Sequence, residues 1–120
     1  MVKQIKLMAD YDCYPLWVYE DMDLMDNPHP SELPLDASTV ERLLQWQDTY
    51  DGILNREDPA SSDFASVEDR VAFEQEGISL WQQLQKELGD EYDVFYMSEL
   101  QHRLLSPPKK ALIPEAVDRR

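Results

Sequence analysis

Cysteine is almost missing from this chain. Cys13 stands alone among 120 residues, so no intrachain disulfide can form, and the composition suits a reducing compartment. Glycine is nearly as scarce, with three residues, so there is no Gly-rich loop to cradle a phosphate. No apolar run approaches the roughly 18 residues that cross a bilayer. Met1–Asp10 alternates instead of forming a signal-peptide core. These absences lead to the expectation of a cytoplasmic protein. Positive charge is also in short supply: 11 Lys and Arg stand against 25 Asp and Glu, for a formal net charge of −14. A surface of that sign repels nucleic acid and anionic membrane, and no basic groove with stacking rings is visible.

What is present suffices for a core. Hydrophobic residues make up 42% of the chain, including three Trp, six Tyr and three Phe. A chain of this length forms one domain and buries about two-thirds of its unfolded surface without a metal or disulfide. The charge is unevenly placed. Residues 1–100 hold 23 acidic and 6 basic side chains, a net −17, whereas residues 101–120 hold 2 and 5, a net +3. The sequence therefore divides into a single α+β domain over 1–98 and a basic tail over 99–120, interrupted by Pro107, Pro108 and Pro114. The tail is expected to be irregular and attracted to the acidic body, each exposed attraction being worth at most about 1 kcal/mol.

The alternation of Ile5, Leu7 and Ala9 predicts a strand with one buried face. Tyr14–Tyr19 is aromatic and β-branched and predicts a second, antiparallel strand, with Pro15 requiring an edge position or an irregular start. Glu20–Asp36 reads as a long acidic connection broken by Pro28, Pro30 and Pro34. A first helix is expected from a capping box between Ser38 and Glu41, with Leu43, Trp46 and Tyr50 on its apolar stripe, ending near Asn55. A second helix is expected from Ser66 to Leu88, with Gly89 as a left-handed cap. Gly77 in its interior costs about 1 kcal/mol against Ala, which implies close approach of another element. Tyr92–Met97 reads as the last strand. The predicted architecture is thus a small three-stranded sheet, β-β-α-α-β, with both helices on one face. That arrangement would bury Trp46, Phe73 and Trp81 and leave aromatic side chains on the other face.

Catalytic patterns are scarce. His29 and His102 have no partner at ligand spacing and read as surface histidines. Asp10 and Asp12 beside Cys13 should raise its pKa and suppress the thiolate. Asp21, Asp23 and Asp26 resemble a calcium loop superficially, but the turn glycine is replaced by Asp26. No metal or cofactor is expected. What remains is an acidic stretch interleaved with aromatics: Asp10, Tyr11, Asp12, Tyr14, Trp17, Glu20, Asp21, Asp23 and Asp26, with Glu57 and Asp58 in a later loop. Tyr and Trp anchor interfaces, and carboxylates accept bonds from Arg and Lys, so this surface suits a basic protein partner.

The run Leu7-Met8-Ala9-Asp10-Tyr11-Asp12-Cys13-Tyr14-Pro15-Leu16-Trp17 resembles the opening of a family of small acidic bacterial proteins. Leu33-Pro34-Leu35, Leu44-Gln45-Trp46, Tyr50-Asp51, Asp58-Pro59-Ala60-Ser61-Ser62 and Leu80-Trp81 extend the resemblance over roughly residues 3–97. Members of this kind look like immunity proteins encoded beside contact-dependent growth-inhibition or other polymorphic toxins. The resemblance brings no set of functional residues with it. It implies a non-enzymatic, cytoplasmic immunity protein, monomeric when free, that neutralises a cationic toxin domain, most readily a nuclease, by occlusion. Direct contact with nucleic acid or membrane is not expected. The competing readings are a small metal-dependent hydrolase using the acidic loop, and a housekeeping interaction module.

Overall fold

The structure, a computed structural model, describes residues 3–21, 23–55, 57–58 and 62–107. Among the described residues five strands form one mixed sheet, in the spatial order β3 (Asp23–Asp26), β2 (Leu16–Glu20), β1 (Lys3–Leu7), β4 (Tyr92–Ser98) and β5 (Arg103–Leu105), so the sheet is not three-stranded as the sequence suggested. β1 (Lys3–Leu7) and β2 (Leu16–Glu20) make the expected antiparallel hairpin, with Ile5 opposite Val18 and Leu7 opposite Leu16. Pro15 stands one residue outside β2, where its missing N–H costs no ladder bond, and its carbonyl accepts from the Met8 amide at 3.0 Å.

Two of the five strands lie where sequence reading placed none. β3 (Asp23–Asp26) pairs with β2 across a bulge inside the stretch read as a connection. All four of its residues are exposed, so it shows no alternation. β5 (Arg103–Leu105) pairs with β4 (Tyr92–Ser98) inside the stretch read as tail. Three residues are too few to show a period. The remainder of the tail, from residue 108, lies outside the described residues.

α1 (Ala37–Asp51) and α2 (Val67–Leu88) cover one face of the sheet. α2 begins as expected, with the Ser66 side chain accepting from the Asp69 amide. α1 does not begin at a Ser38 capping box. Its cap is Asp36, whose side chain makes no capping bond. Instead Glu87 of α2 accepts from the Asp36 amide at 2.7 Å and from Thr39 Oγ1 at 2.6 Å. α1 ends at Asp51, with Gly52 as its cap, rather than near Asn55. Gly89 is not left-handed; it keeps φ −63° and donates its amide to Gln85 O. A short 3-10 turn, Pro30–Glu32, is capped by His29, whose Nδ1 accepts from the Ser31 amide while Glu32 reaches back to the His29 amide. His29 is therefore a capping residue. Among the described residues no helix is long and apolar enough to cross a membrane.

The core lies between helices and sheet. Ile5, Leu7, Leu16, Leu43, Leu80, Leu84 and Tyr96 are fully buried, with Trp46 and Phe73 stacked at 4.5 Å. Trp81 is half-buried and donates its Nε1 to Val94 O at 2.7 Å. Gly77 provides the close approach anticipated from its position. A Cβ there would overlap Tyr96 Oη and come within 2.9 Å of Tyr96 Cζ and 3.0 Å of Trp46 Cζ2. The Tyr96 hydroxyl beneath it donates to Glu74, a buried carboxylate that also accepts from Ser98 Oγ and from the Glu99 amide. Four donors to one side chain, counting the Leu100 amide, satisfy both oxygens of this buried carboxyl group.

Candidate partner-binding surface

The loop from β1 to β2 carries the densest run of acidic and aromatic residues, and it is tied down along its length. Asp12 sits in the left-handed region at φ 59°, a conformation Asp tolerates better than most residues. Its amide donates to Asp51 Oδ1 at 2.9 Å, at the C-terminal end of α1. Gln47 of the same helix donates its Nε2 to Asp10 O at 2.6 Å and to Asp51 Oδ1 at 3.1 Å. Tyr11 stacks on Tyr50 with ring centroids 4.7 Å apart. Tyr14 is held from the other side. Asn27 accepts from its amide and donates to the carbonyls of Tyr14 and Leu16, at 2.7 Å each. The loop is therefore preorganised, which lowers the ordering cost of binding.

These contacts enclose a depression of about 410 Å³ lined by Asp12, Cys13, Tyr14, Asn27, Asp48 and Asp51. Asp48 and Asp51 escaped the sequence reading. Their i, i+3 spacing puts them on one side of α1, but the signal is indistinct in a chain with 25 acids. Burial first, and then the fields of Asp10, Asp12 and Asp51, push the Cys13 thiol up. The acidic neighbours named by the sequence thus act as expected, with burial the larger cause. Three carboxylates around a preformed notch suit an ammonium or guanidinium group.

The other anticipated residues are distributed along β2 and β3. Trp17 lies half-buried on the sheet face that the helices leave open, its Nε1 donating to Met8 O at 3.0 Å. Glu20 and Asp23 pair across the β2–β3 turn, where Asp21 adopts φ 52°, and Asp26 closes β3 next to Asn27. Asp21, Asp23 and Asp26 are therefore strung along a hairpin rather than gathered in a loop. Among the described residues no group of three or more His, Cys, Asp or Glu side chains is arranged to hold a metal ion. Glu57 and Asp58 lie beyond α1, with both amides donating to Asn55 Oδ1. The structure brings Asp10, Tyr11, Asp12 and Tyr14 together at one end of β2 and sets Glu20, Asp21 and Asp23 at the other.

A family profile described as Serratia CdiI immunity protein-like matches residues 3–99. The chain belongs to that family. The matched stretch takes in both helices and the strands from β1 to β4, and it includes every residue singled out above for partner contact. No curated protein matches the chain. Membership in the Serratia CdiI immunity protein-like family agrees with the resemblance read from the Leu7–Trp17 run.

Proposed function

We propose that this chain is an immunity protein that binds a cognate toxin domain and neutralises it by occlusion, without catalysing a reaction. The observation that carries the proposal is the family match over residues 3–99. The preorganised loop at Asp10–Tyr14 and the carboxylate-lined notch beside it support a protein partner with a positively charged surface, of which a nuclease domain is the leading case. Carboxylates at the rim of such a contact mainly speed association, while a few desolvated anchors set the lifetime of the complex.

The experiment is a protection assay in cells expressing the cognate toxin domain, combined with association kinetics on purified proteins. Co-expression of this chain should restore growth. Replacing Asp21, Asp23 and Asp26 together with Asn should slow association several-fold at low salt and flatten its salt dependence. Unchanged kinetics would remove the β2–β3 hairpin from the contact. Failure to protect, with no complex formed, would refute the immunity reading.

A further inference from the structure

The helices cover one face of the sheet, and the other face is not the polar surface expected of a solvated sheet. Strand parity and register lay apolar side chains across it from β2 to β5: Trp17 and Tyr19 flank Lys6 on one side, Phe95 lies opposite Lys6 on the other, and Met97 faces Leu104. Leu104 is 44% exposed, and a shallow depression of about 150 Å³ opens between Lys6, Tyr19, Phe95, Met97 and Leu104. A contiguous apolar patch of this kind on a monomer marks an interaction site more often than a solvated surface.

Lys6 is the informative residue. Its ammonium stands 5.8 Å from the Trp17 ring centroid and 5.4 Å from that of Tyr19. Among the described residues it makes no ion pair, in a chain that carries 25 acidic side chains. The rings hold the charge by cation–π attraction but leave its hydrogen-bond donors available. A partner covering this face would strand the charge unless it brought an acceptor of its own.

Building on the immunity reading, we infer that the helix-free sheet face is the docking surface for the toxin domain, and that Lys6 receives a carboxylate from an otherwise apolar patch on it. Charge complementarity selects this occupant. The face is one cation set among apolar groups, with Gln4 and the exposed Asp93 carboxylate at its β1–β4 end and Leu24 of β3 continuing it past Tyr19. The fitting partner has the reverse pattern, a carboxylate within an apolar patch bordered by Lys and Arg. A second copy of this chain would bring two molecules of net charge −14 together and is disfavoured. The acids then steer and the sheet face grips.

The test uses the purified cognate toxin domain and the full chain. Lys6→Glu should weaken binding by about 100-fold, and Lys6→Arg by less than about 10-fold. Leu104→Asp, at a largely exposed position, should weaken it by at least about 10-fold. Gln82→Glu, exposed on α2, should bind like the parent. Melting curves establish that each variant is folded; if Lys6→Glu is unfolded, Leu104→Asp decides. Parent-level affinity in folded Lys6→Glu and Leu104→Asp would overturn this inference and leave the immunity reading standing. A parent chain that fails to bind at all would overturn the immunity reading itself. Self-association of the parent chain that Lys6→Glu abolishes would assign the face to a second copy and overturn the toxin assignment.

Discussion

Gly77→Ala tests the close approach of α2 to Tyr96 and Trp46. In an exposed helix the same change stabilises by about 1 kcal/mol, because Ala loses less backbone freedom than Gly. Here the new methyl would overlap the Tyr96 hydroxyl and crowd Trp46, so the sign should reverse. Overpacking a well-filled core costs about 1–3 kcal/mol. Displacing the Tyr96 hydroxyl also breaks its 2.7 Å bond to the Glu74 carboxylate, and a hydrogen bond to a charged group is worth about 1.5–3 kcal/mol. Set against the propensity gain, the net destabilisation is about 3 kcal/mol. For a domain of this size that lowers Tm by roughly 10 °C. Urea unfolding and thermal melting by circular dichroism measure both quantities. Tyr96→Phe removes the atom that the methyl meets first, so in that background the added cost of Gly77→Ala should fall by about half. A Gly77→Ala variant as stable as the parent would refute the reasoning.

Two carboxyl groups should make opposite contributions with pH. Burial pushes the Glu99 carboxyl up from its ordinary value of 4.5, despite the opposing fields of Arg70 and His102, so the fold favours its protonated form. Stability should therefore fall as pH rises through 4.5 to the folded value, and Glu99→Gln should raise Tm at pH 7 and lose that advantage by about pH 4. Burial also opposes charge on Glu87, but the hydrogen bonds from Thr39, Asp36 and Gln83 outweigh it and hold that carboxyl below 4.5. Its stabilisation should be complete above 4.5 and vanish as pH falls through the folded value, so Glu87→Gln should be destabilising at pH 7 and close to neutral in strong acid. Urea titrations of each variant and the parent at several pH values check both signs.

Local signals were legible where a residue's structure depends on its own neighbours. The β1–β2 hairpin followed from the alternation of Ile5 and Leu7, and the start of α2 from Ser66. Gly77 announced a close approach because nothing else justifies glycine in a helix interior. Nonlocal structure was hidden. β3 exists because β2 offers it an edge, and Asp23-Leu24-Met25-Asp26, exposed throughout, carries no pattern to reveal it. The start of α1 is fixed by Glu87, about 50 residues away in sequence, which competes successfully with the local Ser38–Glu41 pattern. The acids of the candidate surface were plain in the composition. Their grouping was not, because Asp12, Asp48 and Asp51 meet only when α1 docks against the first loop. Glu74 was invisible among so many carboxylates, since only the fold distinguishes a buried one.

The pairing at the centre of the sheet sets an order of events during synthesis. β1 lies beside β4 in parallel, with Ile5 opposite Val94, so strands from the two ends of the domain must find each other before the sheet is whole. Closing so long a loop is slow compared with forming a hairpin. A ribosome that has released only the first ninety residues has made a chain that still lacks β4 and β5, two of the five described strands. The sheet can close only once β4 has emerged, so a premature stop before Tyr92 would be as damaging to the fold as one within β1.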